Sequence, residues 1–160
     1  MKFKIQYVVI LLLLVLFPFI SWLYLKNGIG FRKQALEELS TKSEFNKSML
    51  DSVAVNQLAG KIALVDINGS RENLSKIYDQ FKESTDFVIL SSKSGYNVLL
   101  GQNELENLKA TFKDVSFVLI DNEGMIRRTY SENDDEMKQL VIHIATLIPF
   151  VEKKKPRGIK

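Results

Sequence analysis

The side chains with chemical capability are few and scattered. His143 is the only histidine, and Gln139 and Glu136 precede it by four and seven residues on one face of a helical segment. A hydrolytic triad would need a nucleophile and an orienting acid converging on that imidazole, and no nearby serine or threonine forms a recognised motif. A partly exposed, structural histidine is the expectation. Glu132, Asp134, Asp135 and Glu136 form an acidic run without the spacing of a calcium loop, and a helix dipole favours acids at its start. Arg127 and Arg128 lie on a strand after a turn, where they read as charges on a solvated edge that discourage edge pairing. Gly28 and Gly30 follow no strand, so they are expected to loosen a linker, not to cradle phosphate. Cysteine is absent, which excludes disulfides, thiol catalysis, thiolate metal sites and iron–sulfur ligation by this chain's own residues. No catalytic, cofactor-binding or metal-ligating residue is assigned. No cofactor or small-molecule substrate is expected, and the chain is read as not an enzyme.

The elements that must carry these residues begin with nineteen uncharged positions, Tyr7 to Leu25, YVVILLLLVLFPFISWLYL. At the helical rise this run is about 28 Å long, close to the thickness of a bilayer's hydrocarbon core. It ends in Trp22, Tyr24 and Lys26, which read as interfacial anchors, and no small-x-small cleavage site follows. An uncleaved anchor is expected, with Pro18 tolerated inside it. Lys2, Lys4 and the α-amino group on one side balance Lys26, Arg32 and Lys33 on the other, so charge alone does not orient the helix.

About 130 residues remain, the size of one domain. Formal net charge is +3, but residues 152–160, EKKKPRGIK, hold five basic residues against one acid. Residues 27–151 carry fourteen basic and eighteen acidic residues, a net of −4. That mildly acidic body argues against nucleic-acid binding. The basic end reads as a disordered, solubilising tail, the sharper reading being a dock for anionic lipid or an acidic partner.

Residues 31–56 place Ala35, Leu36, Leu39, Phe45, Met49, Leu50 and Val53 near helical spacing and predict one or two amphipathic helices. KIALVDI is then a short continuous apolar run, as expected of a strand covered on both faces. NGS makes a turn with Ser70 as helix cap, and Leu74, Ile77, Tyr78 and Phe81 form the stripe of the helix that follows. DFVILSS is a second buried strand, completing a right-handed βαβ unit. A short strand at Tyr96 to Leu100 precedes a helix with Asn103 as its cap. VSFVLID, a tight turn at Asn122-Glu123-Gly124, and MIRRTY form an antiparallel pair. Ser131 and Asp134 read as a capping box for a last helix whose stripe is Met137, Leu140, Val141, Ile144, Leu147 and Ile148, with Pro149 ending it. The order β-α-β-(β)-α-β-β-α predicts an α/β fold, a thioredoxin-like three-layer domain behind one N-terminal transmembrane helix.

The wording of these segments resembles the Sco/SenC copper-chaperone family. GKIALVDI resembles that family's opening strand. NVLLGQNELENLKATF resembles the segment in which an aromatic-x-Phe-Leu-Thr-Gly strand precedes a helix. FVLIDNEGMIRRTY resembles its strand, Asp-x-x-Gly turn and returning strand. The resemblance covers residues 58–149. It implies copper held by a Cys-x-x-x-Cys between the first strand and first helix together with a distant histidine. Here that interval reads NGSRENLS, and the histidine position falls near Lys113 or Asp114, so the chain resembles a divergent member lacking the copper site. The cis-proline of thioredoxins would fall near Val115 and is missing, and residues 31–56 replace the family's leading hairpin.

The organisation expected is a cytoplasmic end at 1–6, the anchor at 7–25, a helical connector at 26–57, the thioredoxin-like domain at 58–150 and the tail at 151–160. The resemblance implies a redox-inactive accessory or binding subunit, on the periplasmic side of a bacterial inner membrane, in cytochrome-oxidase assembly or a large respiratory complex. Its partners are lipid through Tyr7 to Leu25 and a membrane-protein complex. The alternative is an anchored reductase or peroxidase-type enzyme using a non-cysteine or partner-supplied site.

Overall fold

The computed structural model describes residues 5–148, which divide between two compact units, 1–37 and 38–160. The expected N-terminal end before residue 5, Pro149 as helix terminator and the basic tail lie outside the described residues. The first unit is dominated by helix α1, Ile5–Glu38, which continues one residue into the second. It keeps Pro18 in its interior, and its span Ile10–Glu38 has a mean hydropathy of 1.9, long and apolar enough to cross a membrane. Leu11, Leu14, Phe17 and Leu25 are among its exposed apolar side chains. The Lys26 ammonium lies 5.2 Å from the Trp22 ring centre. Gly28 and Gly30 sit inside this helix, with no break between them and Glu38, so the expected loosening there is corrected: with φ negative and space around each Cα, the helix runs through both.

The second unit opens with a strand, β1 (Ser43–Glu44), a single 3₁₀ turn (Lys47–Met49) and a short helix α2 (Ser52–Leu58). The amphipathic-helix reading of 31–56 holds at its two ends, 31–38 in α1 and 52–56 in α2, and is corrected between them. Asn46 and Asp51 each bond backbone N–H groups beyond themselves, Ser48 and Ala54 respectively, and so interrupt the helix at two caps. Phe45 is buried from a loop, not from a helical stripe.

The succession β2 (Ile62–Asp66), α3 (Arg71–Phe81), β3 (Phe87–Ser91), β4 (Val98–Leu99), α4 (Gln102–Thr111), β5 (Phe117–Ile120), β6 (Met125–Tyr130) and α5 (Asp134–Leu147) follows. The six strands form one mixed sheet ordered β1-β6-β5-β2-β3-β4. β2, β3 and β4 are parallel neighbours; β5 runs antiparallel to β2, and β6 and β1 continue antiparallel. The central order β3-β2-β5-β6 is the thioredoxin-like arrangement, and the expected α/β fold stands.

Strand alternation builds the layers. Ala63 and Val65 of β2 join Val88, Leu90, Val118, Ile120 and Leu108 on the face carrying α2 and α4. Ile62 and Leu64 join Ile89, Leu119, Leu74, Ile77, Leu140 and Ile144 on the face carrying α3 and α5. Covered twice, β2, β3 and β5 are buried along their whole lengths. Burial of such side chains stabilises the unit by about 1.5–3 kcal/mol each.

Two caps differ from expectation. Helix α4 starts at Gln102, and Glu104 reaches back to the Gly101 N–H at 2.6 Å while its other oxygen takes the Asp51 N–H at 2.6 Å. Asn103 is therefore inside the helix. At α5 the cap is Asn133, whose side chain accepts the Glu136 N–H at 2.9 Å, and Glu136 returns to the Ser131 N–H at 2.5 Å. The Ser131–Asp134 pairing is replaced because a helix starting at Asp134 needs its acceptor at 133.

Candidate functional site

In this topology the loop between β2 and α3 stands at the carboxyl end of the sheet, where open α/β sheets bind ligands. It is also where the Sco-like resemblance would put two thiolates. Asp66 closes β2 and is 1 % exposed. One carboxylate oxygen accepts the Gly69 N–H at 2.9 Å, and the other accepts the Ser91 hydroxyl at 2.6 Å and the Lys93 ammonium at 2.6 Å. Lys93 also donates to the Gly69 carbonyl at 2.8 Å, and its side chain remains 29 % exposed. A charge buried in the sheet is thus matched by an opposite charge and two further donors, the condition under which burial is tolerated.

Gly69 is required by packing. A Cβ there would lie 2.1 Å from the Phe117 ring, too close for any side chain. Beyond the loop, Ser70 caps α3 by accepting the Asn73 N–H at 3.2 Å, as its position predicted. Glu132 spans the same helix start, taking the Ser70 N–H and the Asn73 amide, each at 2.7 Å. Burial pushes the Glu132 carboxyl up, but these donors and nearby Lys93 outweigh it and hold it below the ordinary carboxylate range. The acidic run is thereby divided: Glu132 and Glu136 tie chain segments together, while Asp134 and Asp135 face outward at the α5 start.

Ser91 is fully buried and donates its hydroxyl hydrogen bond to a carboxylate that also binds an ammonium, so it is not poised as a nucleophile. Lys93 has three donors, two of them committed to Asp66 and Gly69. What the arrangement can do is hold the Lys93 ammonium, paired with Asp66 and partly exposed, at the mouth of the loop. Asp66, Ser91 and Lys93 carried no sequence signal. Asp66 reads as the polar end of an apolar strand, and the two others sit 25 and 27 residues away.

His143 is 2 % exposed, which corrects the expectation of a partly exposed residue. Helix α5 turns it under β6, where Nδ1 lies 2.7 Å from the Tyr130 hydroxyl and Nε2 lies 3.4 Å from Glu38. Because a carboxylate only accepts, the ring proton belongs on Nε2 and Tyr130 donates to Nδ1. Burial lowers the His143 pKa and Arg128 lowers it further, against the opposing pull of Glu38. Burial also raises the Tyr130 pKa well above its ordinary value. Arg128 pairs with Glu38 and bonds Gln139 at 2.9 Å. This cluster joins β6, α5 and the end of α1 without a nucleophile among its members.

The reading of Arg127 and Arg128 on a solvated edge is corrected too. β1 covers the end of β6, and a bulge opposite Leu119 and Ile120 leaves Arg127 as the extra residue. The bulge re-aims Arg127 onto Asp121 at 2.5 Å and onto the Leu39 carbonyl at 2.7 Å. Asp121 also accepts the Glu123 and Met125 N–H groups at 2.9 Å each, closing the turn in which Gly124 has φ +83°. Burial pushes the Asp121 carboxyl up, yet the N–H groups and Arg127 together hold it below its ordinary value. The Asp-x-x-Gly motif is therefore a turn lock. Among the described residues no group of histidine and carboxylate side chains is placed to hold a metal ion.

No protein-family model and no curated protein matches this chain. Among solved structures it is similar to the apo form of Trgpx, a glutathione peroxidase-like protein, at 19 % identity over 69 % of this chain and 94 % of that one, with a TM-score of 0.43. The expectation that this chain is not an enzyme is set against that neighbour and withdrawn, and a likeness this distant carries no activity over to the chain. What its residues exclude is narrower: chemistry on a sulfur of this chain's own cysteines.

Proposed function

We propose that the chain is a membrane-tethered thioredoxin-fold protein that receives a partner at the loop of residues 67–70, any redox step there drawing its sulfur from the partner. The observation that carries this reading is the Asp66–Ser91–Lys93 cluster. It ties the loop to the sheet and places a partly exposed ammonium where the Sco-like pattern would place thiols. A cation beside a docked thiol favours the thiolate, the reactive form. Helix α1 supports the tether. The proposed setting is an accessory role in a bacterial inner membrane, with the domain on the periplasmic side, in assembly of cytochrome oxidase or another respiratory complex. The segments 97–112 and 117–130 are what favour that setting.

Purification of the full chain in mild detergent, followed by mass spectrometry, tests it. The expected result is a membrane partner whose cysteine forms a disulfide, under mild oxidation, with a cysteine introduced into the loop by Asn68→Cys, and weaker capture by Lys93→Met. A chain that purifies alone, or one whose partner contacts only another face, would overturn the reading.

A further inference from the structure

At the opposite end of β2 from the 67–70 loop, a cavity of about 270 Å³ lies between α2 and the turn that joins β5 to β6. Its floor is Phe45, Leu58 and Ile120, all buried, with Val55 partly buried beside them. Its rim is polar: Lys47 from the 3₁₀ turn, Asn56 from α2 and Asn122 from the β5–β6 turn. Gly124 shapes this rim twice over. Its φ of +83° closes the turn, and a Cβ there would stand 3.1 Å from Lys47 Cε and 3.3 Å from Nζ, so the bare backbone is what lets the lysine lie across it.

Charge narrows what this cavity can take. Lys47 and Glu123 are the charged residues of its lining, and Glu123 is already paired with Lys42 at 2.7 Å. Among the described residues the Lys47 ammonium has no ion pair, and the side-chain amides of Asn56 and Asn122 have no hydrogen-bond partner. Glu44 lines a neighbouring cavity that shares Lys47, without coming within ion-pair distance of it. One uncommitted cation and two uncommitted amides thus stand over an apolar floor.

We propose that this cavity binds a small monocarboxylate with an apolar body. The volume is of the right size, since an apolar cavity of about 150 Å³ holds benzene, and the space here takes a ring with a short acid arm. The apolar body lies on Phe45, Leu58 and Ile120. The carboxylate, which only accepts, takes N–H donors from Lys47, Asn56 and Asn122. A neutral ligand leaves the ammonium without a counter-charge, and a dianion exceeds the one cation present. The length of β2 separates this cavity from the Asp66 cluster, so neither proposal rests on the other.

The test uses the full chain in mild detergent, isotope-labelled for nuclear magnetic resonance, with two probes of one shape, phenylpropionate and its neutral counterpart phenylpropanamide. The backbone N–H groups of Gly60 and Gly124 report on the cavity wall. Both are expected to shift saturably with the carboxylate, and the neutral probe to bind at least about tenfold more weakly, as loss of a charge-assisted hydrogen bond implies. Lys47→Met, at an exposed position, keeps the apolar stem. It is expected to weaken the carboxylate by a similar factor and to remove the difference between the two probes. Asn122→Asp, which replaces an amide donor by a negative charge, is expected to weaken the carboxylate alone. Equal affinity of the parent chain for both probes, or carboxylate binding indifferent to Lys47→Met, would overturn the proposal. So would shifts confined to residues away from Gly60 and Gly124, the mark of uptake by detergent or by another face.

Discussion

Replacing Lys93 by methionine keeps most of the side-chain volume and removes the charge that balances Asp66. Breaking a fully buried ion pair from one side costs about 3–5 kcal/mol, because the remaining charge is left uncompensated. Here the discount is substantial. The Lys93 side chain is 29 % exposed, and Asp66 retains the Gly69 N–H and the Ser91 hydroxyl. A loss of about 2–3 kcal/mol is expected. In the Lys93→Met background, Asp66→Asn should recover stability, since a neutral amide can still accept from Gly69 without needing a cation. The double variant is expected about 1 kcal/mol below the parent. Urea unfolding of the full chain in mild detergent, followed by circular dichroism, reads both. At a slope of about 1.5 kcal/mol per molar urea, Lys93→Met lowers the midpoint by roughly 1.5–2 M. If Lys93→Met were silent, or if the two substitutions added up, the cluster would not be a charge-balanced unit and the account of the loop would fail.

Two other outcomes follow from the same structure. His143 is held neutral by burial and Arg128 against the opposing effect of Glu38, so its folded pKa lies below its unfolded value. The unfolded chain then binds the extra proton, and stability is complete above about pH 6.5 and declines as pH falls below it. His143→Gln should flatten the decline between about pH 7 and 5, above the range in which Asp121 and Glu132 titrate. An unchanged slope in urea midpoints across that window would refute the assignment. Leu11→Arg with Leu14→Arg adds about 5–7 kcal/mol to insertion of the apolar helix. The variant should leave the membrane fraction on alkaline extraction, and full retention would argue against a spanning α1.

The sheet, its helices and their order were legible because each strand is a continuous apolar run and each helix shows its stripe, as at KIALVDI and at Leu74, Ile77 and Phe81. Residues 39–51 were not legible. Apolar residues at near-helical spacing there are broken by Asn46 and Asp51, whose caps were indistinguishable from ordinary polar positions until the backbone was placed. Arg127 and Arg128 were misjudged for a similar reason. A bulge and a two-residue strand from far upstream turn a nominal edge into an interior position.

By itself the sequence determined the apolar length of the N-terminal run, the thioredoxin-like order and the lack of any sulfur nucleophile from cysteine. All three are properties of composition or of short-range periodicity. Only the tertiary structure decided that Asp66, Ser91 and Lys93 share one buried site, that His143 lies under Tyr130 beside Glu38, and that a cavity opens between α2 and the β5–β6 turn. Parallel pairing of β2 with β3 brings residues some 25 positions apart to one end of the sheet, and the packing of α5 turns its histidine inward. Local pattern specifies which face of an element is apolar. The polar groups that end up buried together depend on how those faces meet, and no window along the chain contains that information.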